Sequence, residues 1–151
     1  MDMRLTSPAF QPGEAIPEKH SCDGEDVSPV LAWEGVPRDA KALALIMDDP
    51  DAPVGTWDHW IVFNIPPAVK GLKEGAGAGS LPGQARHGRN SWKRKDWGGP
   101  CPPKGTHRYF FKLFALDAML DLSEGASKAE LLDAMDGHIL AKAELMGTYA
   151  R

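Results

Sequence analysis

The sequence predicts one mainly β domain. Its first 40 residues are broken by Pro8, Pro12, Pro17, Pro29 and Pro37 and by Gly13, Gly24 and Gly35, which leaves short strands and loops but no long helix. Three later segments carry strand patterns, and a single segment carries a helix start signal. The 151 residues suit one core, and 42% hydrophobic with 25% charged residues are the proportions of a folded chain rather than a disordered or fibrous one.

Residues 41–48 (KALALIMD) read as a buried strand. Residues 57–65 (WDHWIVFNI), rich in aromatic and β-branched side chains, read as a second, and 107–116 (HRYFFKLFAL) as a third and the clearest. Between the last two, residues 66–104 hold eight glycines and six prolines and show no sustained period. Where ~4 to 6 residues is the usual connection, so long a loop is expected to build a binding surface. Ser127-Lys-Ala-Glu130 matches a capping box ahead of the apolar stripe Leu131, Leu132 and Met135, which predicts a helix over 127–136. After Gly137 the tail fits either more helix or a final strand near Leu145 to Tyr149.

Seventeen Lys and Arg against 21 Asp and Glu give a net charge of -4, without the positive field of a general nucleic-acid binder. No apolar run approaches the ~20 residues of a membrane-spanning helix. The N-terminal residues lack the basic-then-apolar pattern of a secretory signal, so the cytoplasm is the expected compartment. Cys22 and Cys101 are then expected to be free thiols, and they are too few for a structural zinc site.

Residues two apart on a strand share a face. In the first strand Leu43, Leu45 and Met47 lead in register to Asp49. Strict alternation in the second puts Trp57, His59, Ile61, Phe63 and Ile65 together, with His59 near its start, and in the third it groups His107, Tyr109, Phe111 and Leu113. A connection of about eight residues makes the first two strands an antiparallel hairpin, so Asp49 and His59 become neighbours. The 41-residue connection 66–106 allows a crossover, so the third strand can run parallel to the second and bring His107 to the same edge. A small polar cavity at one end of the sheet is the expected result. His20, His87 and His138 have no such company and read as ordinary core or surface residues.

Asp49-Pro50-Asp51-Ala52-Pro53 is a stiff turn that fixes both carboxylates, or a hairpin connection using Asp and Pro for turn chemistry alone. A carboxylate bonded to an imidazole favours the charged ring and aims its other N–H outward, so the acid and two histidines can form an anion receptor. A phosphate would accept from His59, His107 or Tyr109, with glycine N–H groups near Gly99 on its other side. The alternative is a metal-dependent hydrolase holding a divalent ion with Asp49, His59 and His107, and Asp51 besides. No tight ligand spacing supports it, and Cys101 lies between prolines with no evident base for nucleophilic chemistry. The run from Arg86 to Lys95 places five cations in ten residues beside Trp92 and Trp97, either as a solvated loop or as a collector of anionic ligands.

Three ordered segments resemble the signatures of phosphatidylethanolamine-binding proteins: Asp49-Pro-Asp-Ala-Pro53, Trp57-Asp-His59-Trp60, and Gly99-Pro-Cys-Pro-Pro-Lys-Gly-Thr-His107-Arg-Tyr109. The opening segments Ser7-Pro-Ala-Phe10 and His20-Ser-Cys-Asp-Gly-Glu-Asp-Val-Ser-Pro29 look like the bacterial and archaeal Raf kinase inhibitor-like branch. The resemblance implies a large central sheet packed on a smaller one, a few flanking helices, and an anion pocket at one end of the sheet. By motif, that pocket takes Asp49, Pro53, Trp57, His59, Gly99, Pro102, His107 and Tyr109, with the two histidines as principal donors. It further implies a non-catalytic protein without a cofactor that binds phosphate, phosphomonoesters or phospholipid headgroups. Regulation of a kinase-like partner and pairing as a homodimer complete the implied picture. Asp58 departs from the pattern, standing where many eukaryotic relatives have a second histidine, and the chain lacks the C-terminal helical extension of some of them. Eukaryotic kinase partners therefore do not carry over.

Overall fold

The computed structural model describes residues 2–151. In chain order the strands are β1 (Arg4–Thr6), β2 (Leu31–Glu34), β3 (Ala42–Asp49), β4 (Trp57–Ile65), β5 (Gly71–Leu72), β6 (Arg86–His87), β7 (Thr106–Leu116) and β8 (Ile139–Ala150), with helix α1 (Lys128–Met135) between the last two. A three-stranded sheet has the order β1-β2-β5 and a five-stranded sheet the order β6-β4-β3-β7-β8, both antiparallel throughout. This is the β-rich, two-sheet architecture that the sequence predicts.

β3 is buried at all eight positions because both of its faces are covered. Leu43, Leu45 and Met47 pack with Leu5, Leu31 and Trp33 of the small sheet, while Ala44 and Ile46 pack with Leu131 and Met135 of α1. A strand covered on both sides reads as an unbroken apolar run, which is how residues 41–48 read.

β4 and β7 both pair antiparallel to β3, one on each side. They therefore run parallel to each other without hydrogen-bonding to each other, and both begin at the edge where β3 ends. The expected direction of the third strand holds, with β3 interposed.

Alternation in β4 does not hold. The pairing steps from Met47↔Trp60 to Asp48↔Asp58, so His59 is an extra residue, and a second shift between Leu43↔Ile65 and Leu45↔Val62 leaves Phe63 and Asn64 between those pairs. Bulges of this kind re-aim side chains. Trp60, Val62 and Ile65 join the main core, and Ile61 and Phe63 turn to the α1 side, so the single face predicted for Trp57, His59, Ile61, Phe63 and Ile65 is split. Asn64 sits at φ 55°, a conformation that asparagine tolerates, and its buried amide exchanges two hydrogen bonds with the Leu120 backbone.

The long connection is not structureless. It contributes β5 to the small sheet, a 3-10 turn at Ala76–Ala78, and β6 to the outer edge of β4. Its last part packs on the segment around Cys22: the Cys22 N–H donates to the Pro100 carbonyl, and the Gly99 N–H to Asp26. A side chain at Gly99 would collide with the His20 carbonyl and the Asp26 carboxylate. This packing overturns the expected free thiols, because Cys22 and Cys101 form a disulfide across a sequence separation of 79. Two cysteines so distant in sequence give no sign of their proximity until the loop between them is placed.

The capping box at Ser127 and Glu130 is formed as predicted, and α1 spans Lys128–Met135. Gly137, at φ 82°, then turns the chain into β8, which settles the ambiguous tail as a twelve-residue strand paired with β7 apart from an extra residue at Leu140. No helix among the described residues is long and apolar enough to cross a membrane.

Two stability outcomes follow. Leu45→Ala should cost about 2–5 kcal/mol in urea unfolding, since Leu45 is fully buried in the main core. Replacing Cys22 and Cys101 together by serine should lower stability by up to ~4 kcal/mol through the loop entropy returned to the unfolded chain, with reduction of the wild type giving the same loss.

Candidate functional site

At the edge where β3 ends and β4 and β7 begin, a cavity of about 280 Å³ opens between the strand ends and two loops. Seven of the eight predicted residues line it: Asp49, Pro53, Trp57, His59, Pro102, His107 and Tyr109. Gly99 does not, and its N–H donates to Asp26. The residues that the sequence reading missed are Ala52, Val54, Trp92, Cys101 and Pro103. Ala52, Cys101 and Pro103 lie inside the motif segments and Trp92 beside the basic run, whereas Val54 carried no signal. The walls are largely apolar, which strengthens any polar interaction made inside.

Asp49 is 3% exposed and fully engaged. Its Oδ1 accepts from the Asp51 N–H at 2.7 Å, an Asx turn made by the proline-flanked segment, and its Oδ2 accepts from His107 Nδ1 at 2.7 Å. The carboxylate thus orients His107, not the His59 that the hairpin argument made its neighbour. His59 is held separately: its Nδ1 donates to the Gly98 carbonyl at 2.7 Å, and its ring stands edge-on to Trp92 and Tyr109 at centroid distances of 5.0 and 5.2 Å. Burial pushes the His59 ring below the ordinary imidazole range, against the smaller opposing pulls of the Gly98 carbonyl and the Asp49 charge. The Tyr109 hydroxyl is buried with no hydrogen-bond partner among the described residues, and burial, seconded by Asp49, pushes it well above the usual phenol range.

Asp51 leaves the site. Arg108 binds it through Nε, Nη2 and the backbone N–H at 2.8–2.9 Å, which holds its carboxyl down to about 2. Asp58 faces the opposite side of the sheet, where Lys128 Nζ bridges it at 3.0 Å to Asp48 at 2.9 Å, with Lys112 on Asp48 at 3.2 Å. No three His, Cys, Asp or Glu side chains among the described residues come together as a metal would need. Of the ligand set drawn for the hydrolase alternative, Asp51 is taken up by Arg108, while Asp49 is bonded to His107 and His59 to the Gly98 carbonyl. His20 bonds the Val27 carbonyl, His87 accepts from Trp60 Nε1, and His138 pairs with Asp117, so these three are satisfied where they stand. In the basic run, Arg94 pairs with Asp96 and Lys95 with Glu124, while Arg89 and Lys93 are exposed.

Comparison with known proteins identifies the family. The family model described as phosphatidylethanolamine-binding protein matches residues 6–150. The chain belongs to that family. A UPF0098 protein of Methanothermobacter thermautotrophicus is 53% identical over 150 residues, covering 99% of both chains. The crystal structure of a phosphatidylethanolamine-binding protein homolog from Chlamydia trachomatis superposes with a TM-score of 0.93 at 48% identity over 99% of this chain and 98% of that one. E. coli YbcL, described as a new member of the mammalian PEBP family, also gives 0.93, at 35% identity over 100% and 99% of the two chains. The family fold accounts for the two sheets.

The two depressed imidazoles set a pH dependence. Burial lowers both His59 and His87 in the folded chain, so as pH falls through ~6.5 the unfolded chain takes up protons that the folded chain refuses. Stability should therefore fall between pH 7.5 and 5.5, by at most ~1.4 kcal/mol per pH unit for each ring. Urea unfolding across that range checks this, and His87→Gln should flatten the slope.

Proposed function

We propose that this family member is a non-catalytic binding protein whose cavity takes phosphate or a phosphorylated group. The observation that carries the reading is the convergence of two imidazoles and a phenol on one apolar-walled hollow. The phenol there has no partner among the described residues, and one imidazole is braced by a buried carboxylate. A buried hydroxyl without a partner costs free energy, which an acceptor oxygen supplied by a ligand recovers. His107 is anchored through Nδ1, which leaves Nε2 on the ligand side, as histidine-based receptors require. Exposed Arg89 and Lys93 favour the approach of an anion to a chain of net negative charge. Regulation of a kinase-like partner, pairing as a homodimer and the Raf kinase inhibitor-like branch enter this proposal from the sequence resemblance alone.

Isothermal titration with inorganic phosphate and phosphoethanolamine tests the reading. Wild type should bind both, and His107→Ala and Tyr109→Phe should each weaken binding by at least about tenfold while leaving the circular dichroism spectrum unchanged. Equal binding by wild type and both variants would remove the cavity from the account. Turnover of a phosphate ester that is abolished by a chelator would put the hydrolase in its place.

A further inference from the structure

Cys22 and Cys101 are both exposed, and Cys101 also lines the cavity, so small molecules in solvent can reach the bond that joins them. The two sulfurs have different surroundings. Arg151 donates from Nη1 to Cys101 Sγ at 3.6 Å and to the Pro102 carbonyl at 3.4 Å. Cys22 Sγ has no such donor among the described residues, and it opens an exposed acidic run of Asp23, Glu25 and Asp26. Asp23 accepts from Arg151 Nη2 at 3.1 Å and from the Tyr149 hydroxyl at 2.7 Å, so the guanidinium stands between that carboxylate and Cys101. A cation beside a sulfur stabilises a thiolate there, and neighbouring carboxylates destabilise one. The bond also ties down the cavity wall. The Cys22 N–H donates to the Pro100 carbonyl at 3.1 Å and the Gly99 N–H to Asp26 at 2.9 Å, while Gly98, next in the chain, holds His59 through its carbonyl.

From these surroundings we infer that the disulfide is a directional exchange site for small-molecule thiols, at which an adduct on Cys22 releases the cavity wall. The incoming thiol loses its proton to solvent, and its thiolate attacks Cys22 Sγ. The Cys22–Cys101 bond breaks, a new S–S bond joins Cys22 to the reagent, and the electron pair leaves on Cys101 as a thiolate beside Arg151. One disulfide is exchanged for another, so no further oxidant or reductant is needed. The sulfur whose thiolate is better stabilised leaves faster, which makes Cys101 the leaving group and Cys22 the sulfur attacked. The acids after Cys22 repel an anionic reagent, so the favoured class is a thiol without negative charge, such as an aminothiol. The adduct fills space on Cys22 against which residues 100 and 101 now pack, and the two segments part. Attack of the Cys101 thiolate on the adduct expels the reagent and closes the wall again. This holds whatever the cavity binds, and so goes beyond the anion-binding reading.

Incubation of the native protein with cysteamine, trapped early with iodoacetamide and read by peptide mapping, tests the assignment. Cysteamine should be found on Cys22 with the alkyl group on Cys101, at least about tenfold over the reverse arrangement. Arg151→Gln should bring the two arrangements to within about threefold, as should high salt, which screens an exposed guanidinium and tests the direction even where the variant fails to fold. The anionic thiol mercaptoethanesulfonate should react at least about threefold more slowly than cysteamine at equal thiolate concentration. Amide exchange reads the wall: in the trapped adduct the Cys22 and Gly99 N–H groups should exchange at least about tenfold faster, while the Leu45 N–H in β3 keeps its rate. Absence of any adduct until urea unfolds the chain would overturn the inference. Comparable adduct on both cysteines, or a folded Arg151→Gln protein that keeps the full preference, would overturn the direction and the part given to Arg151. Equal rates for the two thiols would overturn the reagent class. An adduct that leaves both amides protected, or one that loses Leu45 protection as well, would overturn the local release of the wall.

Discussion

The site depends on β3 being hydrogen-bonded along both edges. With β4 and β7 antiparallel to it, one on either side, the C-terminal end of one strand and the N-terminal ends of two others are obliged to meet. Nothing in the loops has to specify that meeting. What fixes β3 is burial on both faces: a one-residue slip would exchange Leu45 and Met47 with Ile46 and Asp48, and carry a carboxylate into the main core.

The two aspartates at the end of β3 illustrate how alternation sorts chemistry. Asp48 and Asp49 are adjacent in sequence and equally buried, but point to opposite faces. Asp48 meets Lys112 and Lys128 beneath the sheet, where the first residue of α1 ties the helix to the strand ends. Asp49 meets an imidazole and a turn amide, and acts by orienting His107 rather than by neutralising a cation. Removing either partner would leave a buried carboxylate uncompensated, which explains why both pairs are so fully hydrogen-bonded.

Much of this was legible in the sequence. The three core strands, the capped helix and the edge that gathers Asp49, His59, His107 and Tyr109 follow from periodicity and connection length, and the sheet pairing and the motifs agree with the fold of known relatives. The bulges in β4 were not legible, because WDHWIVFNI alternates well enough to hide an extra residue, and only pairing to β3 reveals it. Nor was the partner of Asp49: the register sets it opposite Trp57, while the bulge turns His59 toward Gly98. The disulfide and the role of Gly99 were hidden for another reason, since both arise where residues 98–103 pack against 20–26, and no local pattern encodes contacts between two irregular segments.

The bulge at His59 has a bearing on how such a pocket diversifies. Because His59 and Trp60 are placed by one surplus residue, and Asn64 marks a second irregularity a few positions on, the strand between them is keyed at both ends. Gaining or losing a residue there would swap imidazole, indole and aliphatic layers all at once. The loop residues Ala52, Val54 and Trp92 border the same hollow without belonging to any strand. New preferences among descendants of this chain should therefore be written at those rim positions, by exchange of side chains or changes in loop length, while the lettering of β4 stays in frame.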